Sequence, residues 1–206
     1  MLDLPFAASC ENNKDPILSV LRRHISASDT RSGSEPRTAL EIAGGTGQHA
    51  VYFAQHFPHL RWQSTDLSSN VDTLNLRITA AALQNLPAAF ALDVTQQSWQ
   101  IDAVDFIFTA NSLHIMPFSA VIEFFRQAGP VLKSNGRLCV YGPFKYQGEF
   151  PSPSNAEFDL WLKERHSLSG VRDFEALNEL AEAAGLSFLE DNAMPANNQL
   201  LVWKKQ

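Results

Sequence analysis

Apolar positions along this chain switch repeatedly between a helical spacing and short runs of strand length. Asp15-Pro16 pairs a capping acid with a proline suited to a first helical turn, and Ile17, Leu18, Leu21 and Ile25 then mark one face. A helix is therefore expected from Asp15. Ser28 to Arg37 is polar, contains Gly33 and Pro36, and reads as a linker. Thr38 to Ala43 predicts a strand, followed by a glycine cluster. Ala50, Val51, Ala54 and Phe57 then give a helix face that Pro58 stops. Arg61 to Thr65 predicts a second strand, ending at Asp66. Val71, Leu74, Ile78, Ala81 and Ala82 carry a helical period to Leu83. Ala88 to Leu92 predicts a short strand ending at Asp93. Val104 to Phe108 reads as an apolar run covered on both faces.

The pattern continues with a helix face at Phe118, Val121, Ile122, Phe125 and Ala128, and with a buried strand at Leu138 to Tyr141. Gly142 to Ser154 breaks the rhythm with prolines, glycines, Phe144, Tyr146 and Phe150, and is expected to be a loop. Ser154-x-x-Glu157 has the spacing of a capping box and opens a helix bearing Phe158, Trp161 and Leu162, which are expected to face the core, with a substrate wall as the alternative. Asp173 caps a last helix that Gly185 ends. Leu186 to Glu190 and Leu200 to Trp203 are the final strands. Only about nine residues separate them, too few for a parallel crossover, so they pair antiparallel. This alternation predicts an α/β fold: a Rossmann-like, mostly parallel seven-stranded sheet flanked by helices and closed by an antiparallel hairpin. Residues 1–206 read as one domain, with the N-terminal segment 1–27 and an insertion at 143–172 as a lid.

Composition narrows the function. The 206 residues are 45% hydrophobic and 18% charged, and 16 Lys+Arg face 22 Asp+Glu for a net charge of −6. That balance speaks against nucleic acid as partner, because such affinity comes mainly from basic groups on phosphates. No apolar run approaches the length of a membrane span. Cys10 and Cys139 lie far apart, and no CxxC or His/Cys ligand spacing occurs, so no metal site is expected. Ala7-Ala8-Ser9-Cys10 imitates a lipoprotein cleavage box. Asp3 precedes it and a basic leader does not, so a cytoplasmic protein is expected.

The most informative stretch is Leu40-Glu41-Ile42-Ala43-Gly44-Gly45-Thr46-Gly47-Gln48-His49. A strand runs into glycines and then a helix, and in such sheets ligands bind at the carboxyl ends of the strands. Gly45-x-Gly47-x-x-Ala50 fits the dinucleotide fingerprint, and Asp66 stands 21 residues past Gly45, where a ribose-binding acid belongs. On these features a nicotinamide cofactor and another ligand both stay open. Glu41, three residues before Gly44, favours a cationic ligand over a pyrophosphate, and S-adenosylmethionine carries a sulfonium, an ammonium and no phosphate.

The segment resembles motif I of the class I S-adenosylmethionine-dependent methyltransferases, with Ala43 where the first glycine is usual. The resemblance covers most of the chain. It implies that Gly44, Gly45 and Gly47 wrap the amino-acid end of the cofactor, with Glu41 supporting the loop or the ammonium. It implies that Asp66 accepts from the ribose hydroxyls, Leu67 lines the adenine, Asp93 takes the adenine amino group with Val94 against the ring, and Asn111 approaches the methionine end. A closer likeness lies in Pro5–Ala8, Glu11–Leu18, Gly44–His49, Thr109–Ile115, Tyr141–Phe144 and Met194–Asn198, which together resemble the methyltransferase-like 26 family, or family of unknown function 938. That resemblance implies the same fold and cofactor and supplies no substrate.

Methyl transfer needs a positioned nucleophile and, for a hydroxyl or a protonated amine, a base. His114, just past the fourth strand, is the candidate base, against a purely structural role beneath the next helix. His49 is expected to pack or cap. Tyr141 ends the fifth strand and is a candidate to orient an acceptor. Tyr141-x-x-x-Lys145 also imitates the Tyr/Lys pair of short-chain dehydrogenases, but Gly142-Pro143 argues against the helix that pair requires. Asn13 and Lys14, Phe144, and Asn197 and Asn198 are candidates to touch a small-molecule substrate, although asparagine also suits a turn. Two alternatives stand beside methyl transfer: a non-catalytic binder of S-adenosylmethionine or S-adenosylhomocysteine, and an NAD(P)-dependent oxidoreductase.

Overall fold

In the computed structural model, which describes residues 4–25 and 37–206, the chain runs α1 (Ala8–His24), β1 (Arg37–Ile42), α2 (Gln48–His56), β2 (Leu60–Asp66), α3 (Ser68–Ala81) and β3 (Phe90–Ala91). It continues with β4 (Val104–Ala110), α4 (Phe118–Val131), β5 (Leu132–Gly142), β6 (Phe144–Lys145), α5 (Pro153–Arg165) and β7 (Arg172–Asp173). It ends with α6 (Phe174–Ala183), β8 (Leu186–Met194) and β9 (Asn198–Lys205). Seven strands form one sheet in the order β3-β2-β1-β4-β5-β9-β8. The first five pair in parallel, and β9 lies antiparallel between β5 and β8. This is the expected mixed sheet with its terminal hairpin.

Strand alternation sorts side chains into two cores. Ala39, Trp62, Phe106, Phe108, Cys139 and Tyr141 face α1, α2 and α3. Leu40, Ile42, Ile107, Leu138 and Val140 face α4 and α6. Phe53 of α2 anchors the first core, with its ring 5.3 Å from both Trp62 and Phe108. Removing so buried an aromatic costs ~3–5 kcal/mol. Glu41 shares the Ala39 side of β1, so alternation buries its carboxyl beneath the helices and away from solvent.

Several local expectations move. The first helix starts at Ala8, not Asp15, and Pro16 lies inside it. Asn13, Ile17, Val20 and Leu21 form one buried stripe on that helix, and this packing outweighs the hydrogen bond that Pro16 cannot make. Helix α5 starts two residues before the expected capping box. Ser152 is its cap, its hydroxyl accepts the Asn155 amide at 3.2 Å, and Pro153 takes the first turn. The apolar run of β4 contains Asp105, which is tolerated because it accepts Thr38 N at 3.0 Å and Lys133 Nζ at 3.1 Å. The stretch read as a loop after β5 contains β6, which pairs in parallel with β7. Of the linker read at Ser28 to Arg37, Arg37 opens β1 and the rest lies outside the described residues.

Candidate active site

The carboxyl ends of β1 to β5 converge on one edge of the sheet, and the glycine loop begins there. Ala43 and Gly45 have left-handed φ values of 59° and 56° as the chain turns from β1 toward α2, and Gly47 caps α2 at φ 75°. The loop is pinned from below: Gly44 N donates to Thr65 O at 2.9 Å and Gly47 N to Gly44 O at 3.0 Å. A Cβ on Gly44 would stand 2.2 Å from Ser64 Oγ and 3.2 Å from a Leu74 methyl, so only glycine fits there.

Asp66 ends β2 directly beside this loop. Its Oδ2 accepts Gly45 N at 2.7 Å, and its Oδ1 accepts Leu67 N at 2.7 Å and Asn70 Nδ2 at 2.8 Å. One carboxylate thus joins the glycine loop to the start of α3. Glu41 lies behind the loop and accepts Trp62 Nε1 at 3.1 Å. Burial, with the Asp66 carboxylate adding to it, raises the Glu41 carboxyl to about 7, against the lowering effect of Ser64 and Trp62. Among the described residues no Lys or Arg pairs with Glu41 or Asp66. The glycine loop therefore sits between two acids that no described cation neutralises, and Arg77 spends its guanidinium on the loop's Thr46 carbonyl.

The other sequence-derived residues divide clearly. Leu67 is half-exposed beside Asp66. Asp93 follows β3 at the same edge, but its carboxylate accepts Thr95 N at 2.9 Å and Thr95 Oγ1 at 2.7 Å, which is a turn-capping pattern. Val94 is buried in the second core. Asn111 leaves β4 with φ 54°, its amide donating to Tyr141 O at 2.9 Å.

His114 and Asn111 line a cleft of about 530 Å³ beside this edge, together with Pro143, Phe158, Trp161 and Asn198 among others. The His114 ring sits edge-on to Phe158 at 5.3 Å. Burial, with Arg172 adding to it, lowers the ring to about 4, so it is neutral at pH 7 and open to accept a proton.

Tyr141 does not reach this cleft. It is buried in the first core, and its hydroxyl pairs with the Asn13 side chain. Asn13 also meets His49 Nε2 at 2.7 Å, and the His49 ring stacks on Phe53 at 5.4 Å. Both His49 and Asn13 are therefore packing groups between α1 and α2. Lys14 pairs with Glu11 and lies over the Tyr52 ring. Phe144 is buried in the second core because β6 turns it inward. Asn197 holds the hairpin turn to α5: its carbonyl accepts Asn155 Nδ2 at 3.0 Å and its side chain donates to Ser154 Oγ at 3.2 Å. Asn198 lines the cleft while donating to Pro195 O and Ala196 O. Tyr141 and Lys145 lie on separate strands, so the dehydrogenase arrangement is absent. Leu162 is buried as expected and closes the cleft from within, whereas Phe158 and the half-exposed Trp161 line it.

Sequence reasoning missed how the start of the chain fastens to the glycine loop. Gln48 Oε1 accepts Ala7 N at 2.7 Å and Thr46 Oγ1 at 3.0 Å, and its Nε2 donates to Glu11 at 2.7 Å. Arg77 donates to Thr46 O at 2.7 Å and also to Pro5 O. These partners lie far apart in sequence, and no local spacing announces them. Among the described residues no helix is long and apolar enough to cross a membrane, and no cluster of three metal-ligating side chains occurs.

Residues 4–205 match a family described as "Protein of unknown function (DUF938)". Among solved structures, an O-methyltransferase family protein from Burkholderia thailandensis superposes with a TM-score of 0.78 at 18% identity, over 94% of this chain and 56% of that one. PigF with SAH gives 0.74 at 16% identity, over 92% and 55%. An O-methyltransferase family 2 protein from Planctomyces limnophilus, in complex with apigenin, gives 0.72 at 18% identity, over 94% and 61%. The chain spans about half the length of these structures, and at such identities the likeness establishes the fold.

Proposed function

For a chain that belongs to the DUF938 family, we propose an S-adenosylmethionine-dependent methyltransferase acting on a small molecule. The observation that carries this reading is the pair of acids around the glycine loop, Glu41 buried behind it and Asp66 bonded to Gly45, with no basic side chain on either among the described residues. Asp66 suits the ribose of either cofactor, but the Glu41 carboxyl behind the loop disfavours a pyrophosphate and favours a sulfonium with an ammonium. Gly44 lets the loop pack directly on Ser64 and Leu74, and the open space over Gly45 suits the cofactor's amino-acid end. Gly45 and Gly47 shape the rest of the loop, Asp66 offers its carboxylate to the ribose, Leu67 and Val94 lie on the adenine side with Asp93, and Asn111 faces the methionine end.

When bound, the cofactor supplies an electrophilic methyl group. The chain's own part is to hold the acceptor in line, to exclude water and, through neutral His114, to receive the acceptor's proton. The N-terminal segment and residues 143–172 cover the site. Asn198 is retained as a substrate contact, while Tyr141, Asn13, Lys14, Phe144 and Asn197 support the site from behind. Solved relatives of this fold that are named as O-methyltransferases, one of them holding apigenin, and a further one holding SAH, support both cofactor and acceptor size. Titration with S-adenosylhomocysteine tests the reading: one saturable site is expected, and no binding would refute it.

A further inference from the structure

The cleft beside His114 has a lining that selects its occupant. None of the described residues that line it is an acid, a lysine or an arginine. The nearby cation Arg172 spends its guanidinium on the backbone carbonyls of Leu113, Met116 and Leu168. Arg165 lies over the Trp161 ring at 4.0 Å. A charged acceptor would be desolvated in this cleft without a counter-charge, which is costly.

The apolar side is aromatic and ordered. Phe158 and Trp161 are stacked at 5.6 Å and 19°, and His114 meets Phe158 edge-on. Ile115, Pro143 and Leu162 complete that wall. The carboxamides of Asn111 and Asn198 and the His114 ring lie among the polar contributors. A cleft of about 530 Å³ with apolar walls and a few polar groups has the dimensions of a small-molecule site.

We infer that this cleft binds an uncharged, planar aromatic molecule that packs against Phe158 and directs a ring hydroxyl toward His114. This rests on the methyltransferase reading. In the step it implies, the acceptor oxygen forms a bond to the methyl carbon and the carbon–sulfur bond breaks. The electron pair of that bond stays on sulfur, which becomes a neutral thioether. The hydroxyl proton passes to a His114 ring nitrogen and then to solvent. Asn198 orients the acceptor's other polar edge.

The test uses the full chain with labelled S-adenosylmethionine and a cell extract separated into neutral aromatic, neutral aliphatic, cationic and anionic fractions. Label is expected in the neutral aromatic fraction, as base-stable methyl ethers. Direct titration with 2-naphthol, in the presence of S-adenosylhomocysteine, is expected to give saturable binding. Leu162→Trp, which fills the cleft, should weaken that binding at least ten-fold while leaving S-adenosylhomocysteine affinity unchanged. Label confined to a charged or aliphatic fraction overturns the inference. So does intact S-adenosylhomocysteine binding with no labelled fraction and no naphthol binding, and in both cases the cofactor reading stands. Failure to bind S-adenosylhomocysteine at all removes both.

Discussion

The Asp66 carboxylate accepts the Gly45 amide at 2.7 Å with one oxygen, while its other oxygen accepts the Leu67 amide and the Asn70 side chain. One side chain at the end of β2 thereby sets the position of the glycine loop and of the start of α3. Replacing it by Ala leaves three donors without their acceptor. Asp66→Ala is expected to lose ~1–3 kcal/mol of stability and to weaken S-adenosylhomocysteine binding by ~100-fold or more, on the scale of a lost charge-assisted contact plus a displaced loop. Calorimetric titration and urea denaturation on the same preparation check both. Unchanged affinity would remove Asp66 from the cofactor site.

Ala43 holds φ 59° at the point where β1 turns into the loop. The left-handed region penalises any Cβ by ~1 kcal/mol, and glycine escapes that penalty. Ala43→Gly is therefore expected to raise stability by ~0.5–1 kcal/mol in urea denaturation. A loss of stability would mean that the Ala43 methyl packs more favourably than its backbone strain costs.

Glu41 and the buried histidines respond to pH in opposite directions. His49 and His114 are both lowered to about 4 by burial, against 6.5 in the unfolded chain. Their contribution is fully present above 6.5 and is lost as pH falls from there toward 4, about 3 kcal/mol for each. Glu41 is raised to about 7 against 4.5, so its contribution is full below 4.5 and is lost as pH rises through 7. Between pH ~4.5 and ~6.5 the two histidines outweigh the one carboxyl, so urea midpoints should rise across that range and dip only slightly as pH passes 7. Glu41→Gln should steepen the rise and remove the dip. A variant with the wild-type pH profile would contradict the buried, partly protonated carboxyl.

A cationic ligand held against the glycine loop should draw the proton from Glu41. Binding of S-adenosylmethionine at pH ~7 is expected to release roughly half a proton. The observable is a binding enthalpy that changes with the ionisation enthalpy of the buffer, and the Glu41→Gln variant should lose this buffer dependence. Equal enthalpies for the wild-type chain in phosphate and Tris would count against Glu41 sensing the ligand.

His114 faces the cleft and Tyr141 does not, so their variants should separate. His114→Ala is expected to lower kcat by ~10²–10⁴ with S-adenosylhomocysteine affinity retained, the usual scale for loss of a general base. Tyr141→Phe removes only a hydroxyl that pairs with Asn13 inside the core. It should cost about 1 kcal/mol of stability and leave kcat within a few-fold. A labelled-methyl transfer assay on both variants decides the assignment. Equal losses would mean that the buried network, not His114 alone, governs the reaction.

The sheet and its order of elements were legible in the sequence because each buried strand is a short apolar run and each helix has a clear stripe. Even Asp105 inside β4 left that pattern intact. The glycine loop and Asp66 were legible because a turn that admits only glycine leaves glycine in the sequence. The start of α1 was not, because Pro16 is locally a helix start and only the packing of Asn13 and Ile17 against the rest of the fold extends the helix back to Ala8. The side chains of Tyr141 and Phe144 were misdirected toward the site for a related reason. Strand alternation decides which face a residue takes, and the parity of β5 and β6 is fixed by long-range pairing with β4, β9 and β7. The cleft wall of Phe158, Trp161 and Leu162 follows from how α5 sits beside His114, which no spacing within the helix encodes.

An acid-flanked glycine loop should bind a sulfonium cofactor and reject a dinucleotide. Calorimetric titration of the intact chain with S-adenosylhomocysteine and, separately, with NADH decides between the two. One saturable site is predicted for S-adenosylhomocysteine, lost in Asp66→Ala, with no heat of binding for NADH. Saturable NADH binding, or no binding of S-adenosylhomocysteine by a folded chain, would contradict the proposed role of Glu41 and Asp66.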